Sequence, residues 1–397
     1  MTANAWYKWI ILIGCFLLMG FPFSIVNAIH PLFMNLVVEK LGFTISSFSM
    51  IFTISAVVIA VMSPLVGFLM KKMNLKIIMT VSAIMVGGGF IAYGFAKDMY
   101  TFYAIATVVA IGMSGLTLIP ISTVLTNWFG EWRATAMGIA FAGAGTGTFF
   151  WMQVISQRLV TSGYENTYIF LGLIILLVSL PICGFVMRIS PQYVEEKNVI
   201  KRVLEDNHAL KMKEDTLWSS LLMNKVFWRF VAGLLFLGIT VSGVQVHVQS
   251  YLASLGYSLE YGANIGLTLA MSALAGSIFG GALFDALKTK HAILLFGGLH
   301  FIAIALLLFM NVPIITYLFA VVFGISLCMP SLWPAYGVSK LFPQENYAAT
   351  LGIAQLFFVA GGALGPLLSG ILADSIGYSF AWGGYLFLTM IYICLFL

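Results

Sequence analysis

Apolar runs of about 20 residues recur twelve times along this chain, and that succession limits the possible folds more than any single motif. A run of that length crosses the hydrocarbon core of a bilayer as a helix, and within lipid only helices and closed barrels satisfy their own backbone hydrogen bonds. The alternation that marks barrel strands is absent, so the runs are read as helices. Charge agrees with this reading. Only 8% of the 397 residues are charged, and 13 of the 33 charges lie in 188–225, leaving 20 for the other 359 positions. A soluble enzyme, in which about a quarter of the residues would be charged, is excluded.

The expected spans cover about 9–38, 44–70, 77–96, 100–127, 133–158, 166–187, 227–253, 261–285, 292–310, 314–340, 348–373 and 378–397. The first run is too long for a signal-peptide core and has no small-residue cleavage pattern after it, so it is expected to remain as span 1. If the N-terminus is cytoplasmic, 16 Lys and Arg fall on the cytoplasmic side and only Lys40, Lys97 and Arg158 on the other. The positive-inside rule selects this orientation, with both termini cytoplasmic and the plasma membrane as the expected location. The basic residues follow the span ends and form no block, so nucleic acid is not an expected partner. The partners expected are the bilayer, a small-molecule substrate and protons, with the monomer as the working unit. Cys15, Cys183, Cys328 and Cys394 lack metal or disulfide spacing and read as small apolar residues.

Shifting the chain against itself by 214 positions pairs Leu41-Gly42-Phe43 with Leu255-Gly256-Tyr257 and Gly67 with Gly281. The same offset pairs Lys76 with Lys290, Pro120 with Pro334, Ala134 with Ala348, and Gly138-Ile139-Ala140 with Gly352-Ile353-Ala354. Glycines, prolines and loop lysines in one register argue for duplication. The expected organisation is an all-α membrane protein with a six-helix bundle over 1–187, a linker over 188–225 and a second six-helix bundle over 226–397. Within the linker, 195–215 is expected to form a solvated helix, and 216–223, with Trp218 and Leu221, to lie along the membrane surface.

Two parallel six-span repeats joined by a linker resemble the major facilitator superfamily. Its loop after span 2 reads Gly, three residues, Asp, then basic residues; Gly281, Asp285, Lys288 and Lys290 match, whereas the first half has Gly67 but Lys71 at the acidic position. Trp128, Phe129, Arg133, Ala136, Gly138, Gly143, Gly145 and Gly147, and His247, Tyr251, Leu255 and Gly256, are similar to the monocarboxylate porter and oxalate:formate antiporter group. The resemblance implies secondary transport by alternating access, with a small organic acid as substrate. It also implies that spans 1, 4, 7 and 10 line the cavity. Where that group places a substrate-binding Arg, four residues before the glycine matched by Gly281, this chain has Ser277. Two other functions stay open: transport of neutral or amphipathic molecules, and a receptor without transport, which the 38-residue linker makes the least favoured.

Candidate residues follow from depth. None of the 14 acidic residues and no Lys or Arg falls in mid-span, so the titratable groups expected at depth are His30, His247 and His300. Polar groups kept in a membrane are functional candidates by default. His30 beside Asn27, and His247 between Gln245 and Gln249, are expected to bind substrate and carry a coupling proton, whereas His300 is expected to be structural. Trp333 and Tyr336 are either a substrate cage or interfacial anchors. Pro22, Pro31 and Pro120 either shape the cavity or curve their helices. The resemblance implies that Asp285 helps close an inner gate by meeting the opposite half, where span 5 presents its positive N-terminal end and Arg133; a contact with Arg133 is expected, with Lys76 and Lys290 nearby. Gly143 and Gly147 in span 5, and Gly361 and Gly365 in span 11, are either sliding contacts between the halves or static packing. No metal set, Ser/His/Asp set or carboxylate pair is visible, so neither an enzyme nor a cofactor is expected.

Overall fold

The computed structural model describes residues 2–43, 45–189 and 223–397. The expected linker features at 195–215 and 216–223 lie outside the described residues, apart from Met223. Among the described residues the regular structure is entirely helical. Eleven helical stretches are long and apolar enough to cross a membrane, and one of them, Met99–Leu159, has the length of two spans. Spans 4 and 5 are therefore counted together, and twelve crossings result.

Span 1 runs over 2–41 and span 2 over Ile45–Lys72. Span 3 is Leu75–Tyr93, and span 4 is Met99–Leu116 continued by Leu118–Phe129. Spans 5 and 6 share Arg133–Pro181, broken where Gly163 adopts φ 73°. Spans 7 to 9 are Lys225–Ser254, Leu259–Ala286 and Thr289–Leu307. Span 10 is Pro313–Ser326 continued by Cys328–Leu341, and spans 11 and 12 are Tyr347–Ser375 and Tyr378–Phe396. The ends lie within several residues of the sequence expectation, because Asn74, Asp98, Asn224 and Ser258 each cap a helix N-terminus through a side-chain oxygen.

The 214-residue register reappears in three dimensions. Gly42 and Gly256 both take positive φ at the end of spans 1 and 7, and Gly163 and Gly377 both do so at the turns between spans 5 and 6 and spans 11 and 12. These are conformations that side-chain-bearing residues rarely adopt. Within the first half, span 2 packs on span 4, span 3 on spans 4 and 6, and span 1 on span 5. The second half repeats the scheme with span 8 on 10, span 9 on 10 and 12, and span 7 on 11.

The face bearing the chain ends and the 189-to-223 connection is called here the linker face, and the opposite one the far face. The halves meet on the linker-face side. A Cβ added at Gly67 would strike the Ala348 carbonyl oxygen, and one at Gly281 would strike that of Ala134. Gly138 lies as tightly on Ser277 O, and Gly352 on Ser63 O. Spans 2 and 11, and spans 5 and 8, thus cross at repeat-related glycines, since small residues let backbones approach closely. The far-face segments of spans 4 and 10 pack against spans 2 and 3 and spans 8 and 9 of their own halves.

The candidate glycines of spans 5 and 11 pack elsewhere, which favours static packing over sliding contact for them. Gly143 and Gly147 abut the carbonyls of Phe16 and Gly20 in span 1, and Gly361 and Gly365 abut those of Leu235 and Ile239 in span 7. They hold helices together within a half. The surface between the halves is built by Gly67, Gly138, Gly281 and Gly352.

Candidate functional site

Span 1 is the most irregular helix, and the cause is Pro22. A proline lacks the N–H that closes a helical turn, and the chain responds with two π-helical turns, Met19–Phe23 and Ile25–Ile29, followed by a 3₁₀ turn at His30–Phe33. Side-chain donors tie the bend to span 5. The Ser24 hydroxyl reaches Met19 O at 2.9 Å and Ala144 O of span 5 at 2.7 Å, and Trp151 Nε1 donates to Gly20 O at 3.1 Å. Pro120 acts similarly in span 4, where the helix breaks at Thr117, with φ −114° and ψ −108°.

These two irregular segments face a cavity of about 430 Å³. Its wall includes Asn27 and His30 of span 1, Ser55 and Ser63 of span 2, Tyr93 of span 3, and Ser114 and Thr117 of span 4. Span 11 of the other half contributes Gln355 and Val359. Ser63 lines the cavity while its carbonyl takes the Gly352 crossing, so the chamber stands directly on the contact between spans 2 and 11. Three hydroxyls are already engaged: Ser63 donates to Ile59 O, Ser114 to Ala110 O and Thr117 to Met113 O. Asn27 Nδ2 donates to Phe23 O at 2.9 Å, and Gln355, 7% exposed, makes no hydrogen bond among the described residues. Among the described residues, no Lys, Arg, Asp or Glu lines the chamber.

His30 is 3% exposed and sits among six aromatic rings. Ring centroids lie at 5.1 Å for Tyr93, 5.4 Å for Phe52, 5.5 Å for Phe90, 5.7 Å for Tyr168, 6.0 Å for Phe48 and 6.3 Å for Phe33. Its Nε2 is buried with no hydrogen-bond partner, and so is the Tyr168 hydroxyl.

The other expected site residues lie elsewhere. His247 is placed 3.0 Å from Pro366 O through Nε2 and 3.2 Å from the Tyr378 hydroxyl through Nδ1, tying spans 7, 11 and 12 together. A carbonyl can only accept, so Nε2 carries the proton and Nδ1 takes the Tyr378 hydrogen, which leaves the ring with both nitrogens engaged. Gln249 Nε2 donates to Gly262 O of span 8 at 3.0 Å, and Gln245 is exposed beside neither partner of His247. Trp333 and Tyr336 are buried in the linker-face core of the second half, packed on Phe284, with the Tyr336 hydroxyl donating to Phe284 O at 2.8 Å. None of these five lines the chamber. His300 is fully buried, with Nδ1 3.1 Å from the Ser326 hydroxyl.

At the gate, Asp285 lies on the N-terminal end of span 5 and not on Arg133. Ala134 N and Thr135 N donate to its carboxylate at 3.2 and 2.7 Å, and Thr135 Oγ1 adds a third bond at 2.7 Å. A helix N-terminus offers unpaired donors and a positive dipole end, which suit a carboxylate. Arg133 instead donates to Ser339 O near the end of span 10, at 3.2 Å. Lys76 donates to Gly184 O within its own half, and Lys290 is exposed. Lys71, the repeat counterpart of Asp285, crosses the halves and donates to Asn346 Oδ1 at 2.7 Å.

Gln355 and Tyr93 also line the chamber, and only the first carries a signal in the sequence. Gln355 is the one Gln or Asn between the caps of span 11, and such an amide in an apolar helix is a signal of function. Tyr93 gave no signal, since tyrosines near span ends are common anchors.

Comparison with known proteins bears on this architecture. The family model described as Major Facilitator Superfamily matches residues 12–337. The oxalate:formate antiporter of Oxalobacter formigenes is 24% identical over 97% of this chain and 88% of its own length. Monocarboxylate transporter 13 of Rattus norvegicus is 24% identical over 94% of this chain and 83% of its own. Among solved structures, the E. coli fucose:proton symporter FucP superposes with a TM-score of 0.72 at 15% identity, covering 97% of both chains. The proton:xylose symporter XylE superposes with a TM-score of 0.76 at 14% identity, covering 98% of this chain and 95% of its own. The twelve spans, the repeat-related crossings and these matches agree: the chain belongs to the Major Facilitator Superfamily and is a multi-pass membrane transporter, not an enzyme.

Proposed function

We propose that the protein is a secondary transporter of a small organic acid, moved together with a proton by alternating access of the two six-span halves. One observation carries the reading: a chamber of about 430 Å³ between the halves, walled by neutral polar and aromatic groups, with His30 as its single imidazole. That volume suits a small molecule. A bare carboxylate would be prohibitively costly in a chamber without a cation. An acid that enters with its proton is neutral as a pair, whether the proton sits on the carboxylate or on His30. The oxalate:formate antiporter and monocarboxylate transporter 13 have acid substrates in their names, which favours the same class.

Counting the basic residues puts the linker face in the cytoplasm of a cell expressing the protein in its plasma membrane. The conformation described is then closed to the cytoplasm, and the monomer is the working unit. Binding of the neutral pair between spans 1, 2 and 4 and Gln355 of span 11 gives the halves a common ligand about which to rock. His30 takes over the coupling role expected of His247, whose two nitrogens are both engaged within the second half.

A second reading, transport of a neutral solute, is favoured by the same absence of a cation on the wall. Uptake of labelled short monocarboxylates, dicarboxylates and neutral analogues into proteoliposomes at two pH values separates the two. The first reading expects monocarboxylate uptake that rises as pH falls; uptake of neutral analogues alone, without pH dependence, rejects it.

A further inference from the structure

Two buried polar atoms without protein partners stand in one cluster of rings, the Nε2 of His30 and the hydroxyl of Tyr168. Their ring centroids are 5.7 Å apart, with the planes at 81°. A polar group buried without a hydrogen bond costs several kcal/mol in an apolar medium, and two neighbours that both lack one point to a shared ligand. Phenylalanine would fill position 168 equally well, since Tyr168 is stacked on Phe33 at 4.0 Å among Phe90 and Tyr93. The packing asks for the ring and leaves the hydroxyl unexplained.

The position of this cluster matters. Tyr168 does not line the substrate chamber, whereas His30 and Tyr93 do, so the imidazole forms part of the wall between the chamber and the rings behind it. Beyond Tyr168 the next ring is Tyr164, at 6.3 Å, and Lys40 lies 5.1 Å over Tyr164. Lys40 is paired with Glu165 at 2.6 Å at the far-face end of spans 1 and 6. The titratable groups facing His30 are Tyr93 from span 3 and Tyr168 from span 6, while span 2 presents Phe48 and Phe52. Among the described residues no charged side chain faces it.

We propose that the space between His30 and Tyr168 binds one water molecule, held by Nε2 and the phenol oxygen, and that the coupling proton reaches His30 through this water and not through the substrate chamber. This rests on the reading of His30 as the coupling group. The water receives a proton from the far-face solution and passes one to Nε2, remaining water itself. The imidazolium so formed balances the substrate carboxylate on the other side of the ring. After the halves rock, the proton leaves with the acid, and the imidazole is neutral again.

Tyr168→Phe tests this, because it removes one oxygen and leaves the packing. Purified variant and wild type are compared in proteoliposomes for pH-driven net uptake of a labelled monocarboxylate, for acid exchange at equal pH, and for thermal stability. The expected result is an unchanged or raised melting temperature, net uptake reduced about tenfold, and exchange reduced much less, because exchange needs no new proton. Net uptake and a pH profile equal to wild type, in a variant that folds, overturn the proton-loading water. Wild-type uptake without any accompanying proton overturns the reading of His30 and this proposal together. Proton-coupled uptake in wild type with an unaffected Tyr168→Phe overturns this proposal alone. A variant with a lower melting temperature and equal losses in uptake and exchange also counts against it, since the hydroxyl would then be structural.

Discussion

At the residue scale, the gate is a carboxylate on a helix end. Asp285 receives three hydrogen bonds from Ala134 and Thr135, and Lys71, its counterpart in the first half, reaches the side-chain oxygen of Asn346 at the start of span 11. Bonds from helix-end amides to a carboxylate are charge-assisted and gain from the helix dipole, so Asp285 is a firm tie between spans 5 and 8. Asp285→Asn should weaken the closed linker face by about 1–2 kcal/mol, raising linker-face labelling of an engineered cysteine about tenfold. Lys71→Asp should act in the opposite direction, by placing an acid against the N-terminus of span 11. Unchanged labelling in both variants would remove the helix-end account of the gate. Outside the spans, Asp98 is held below the usual carboxylate range by the hydroxyl and amide of Thr101. A lowered folded-state value means that its stabilising effect is present above the ordinary carboxylate range and is lost as pH falls through the lowered value. The Asp98→Asn variant should therefore show a shallower loss of melting temperature on acidification.

At the scale of the helices, glycine positions divide by function. Gly67, Gly138, Gly281 and Gly352 sit where the halves cross, and Gly143, Gly147, Gly361 and Gly365 where helices pack within a half. A bulky residue should therefore give two different failures. Gly138→Leu should leave each half folded but prevent closure of the linker face, abolishing transport with the expression level kept. Gly147→Leu should lower the melting temperature and the yield, because Gly20 of span 1 cannot withdraw. Melting curves and transport measured side by side on both variants check this; equal melting losses would dissolve the distinction. The sequence made the repeat legible, since loop and crossing glycines share a 214-residue register, but it could not tell the two glycine classes apart. Small residues look alike wherever backbones approach, and which partner they approach is a property of the tertiary arrangement. For the same reason His247 reads in the sequence as a proton carrier on the same footing as His30. Flanking glutamines are visible in a sequence, whereas the Pro366 carbonyl and the Tyr378 hydroxyl that occupy its ring come from residues more than a hundred positions away.

At the scale of the whole molecule, scarcity of charge sets both topology and chemistry. The 16 basic residues expected on one side argue for an orientation of the chain, and among the described residues the chamber wall holds neutral polar groups and one imidazole. Twelve spans and their approximate limits were legible because lipid imposes a length and a composition on each crossing. The chamber was legible only in part. Asn27 and His30 were marked by polarity beside a helix-breaking proline and Gln355 by its lone amide in an apolar helix, while Tyr93 became apparent only once span 3 was set against span 1. The central claim is that acid and proton cross together with His30 as the coupling group. Proteoliposomes loaded with a pH-sensitive dye and given a labelled monocarboxylate measure both fluxes at once. The account predicts one proton moving with each acid in wild type, and in His30→Phe a loss of proton movement together with net uptake. Undiminished proton-coupled uptake in His30→Phe would contradict it.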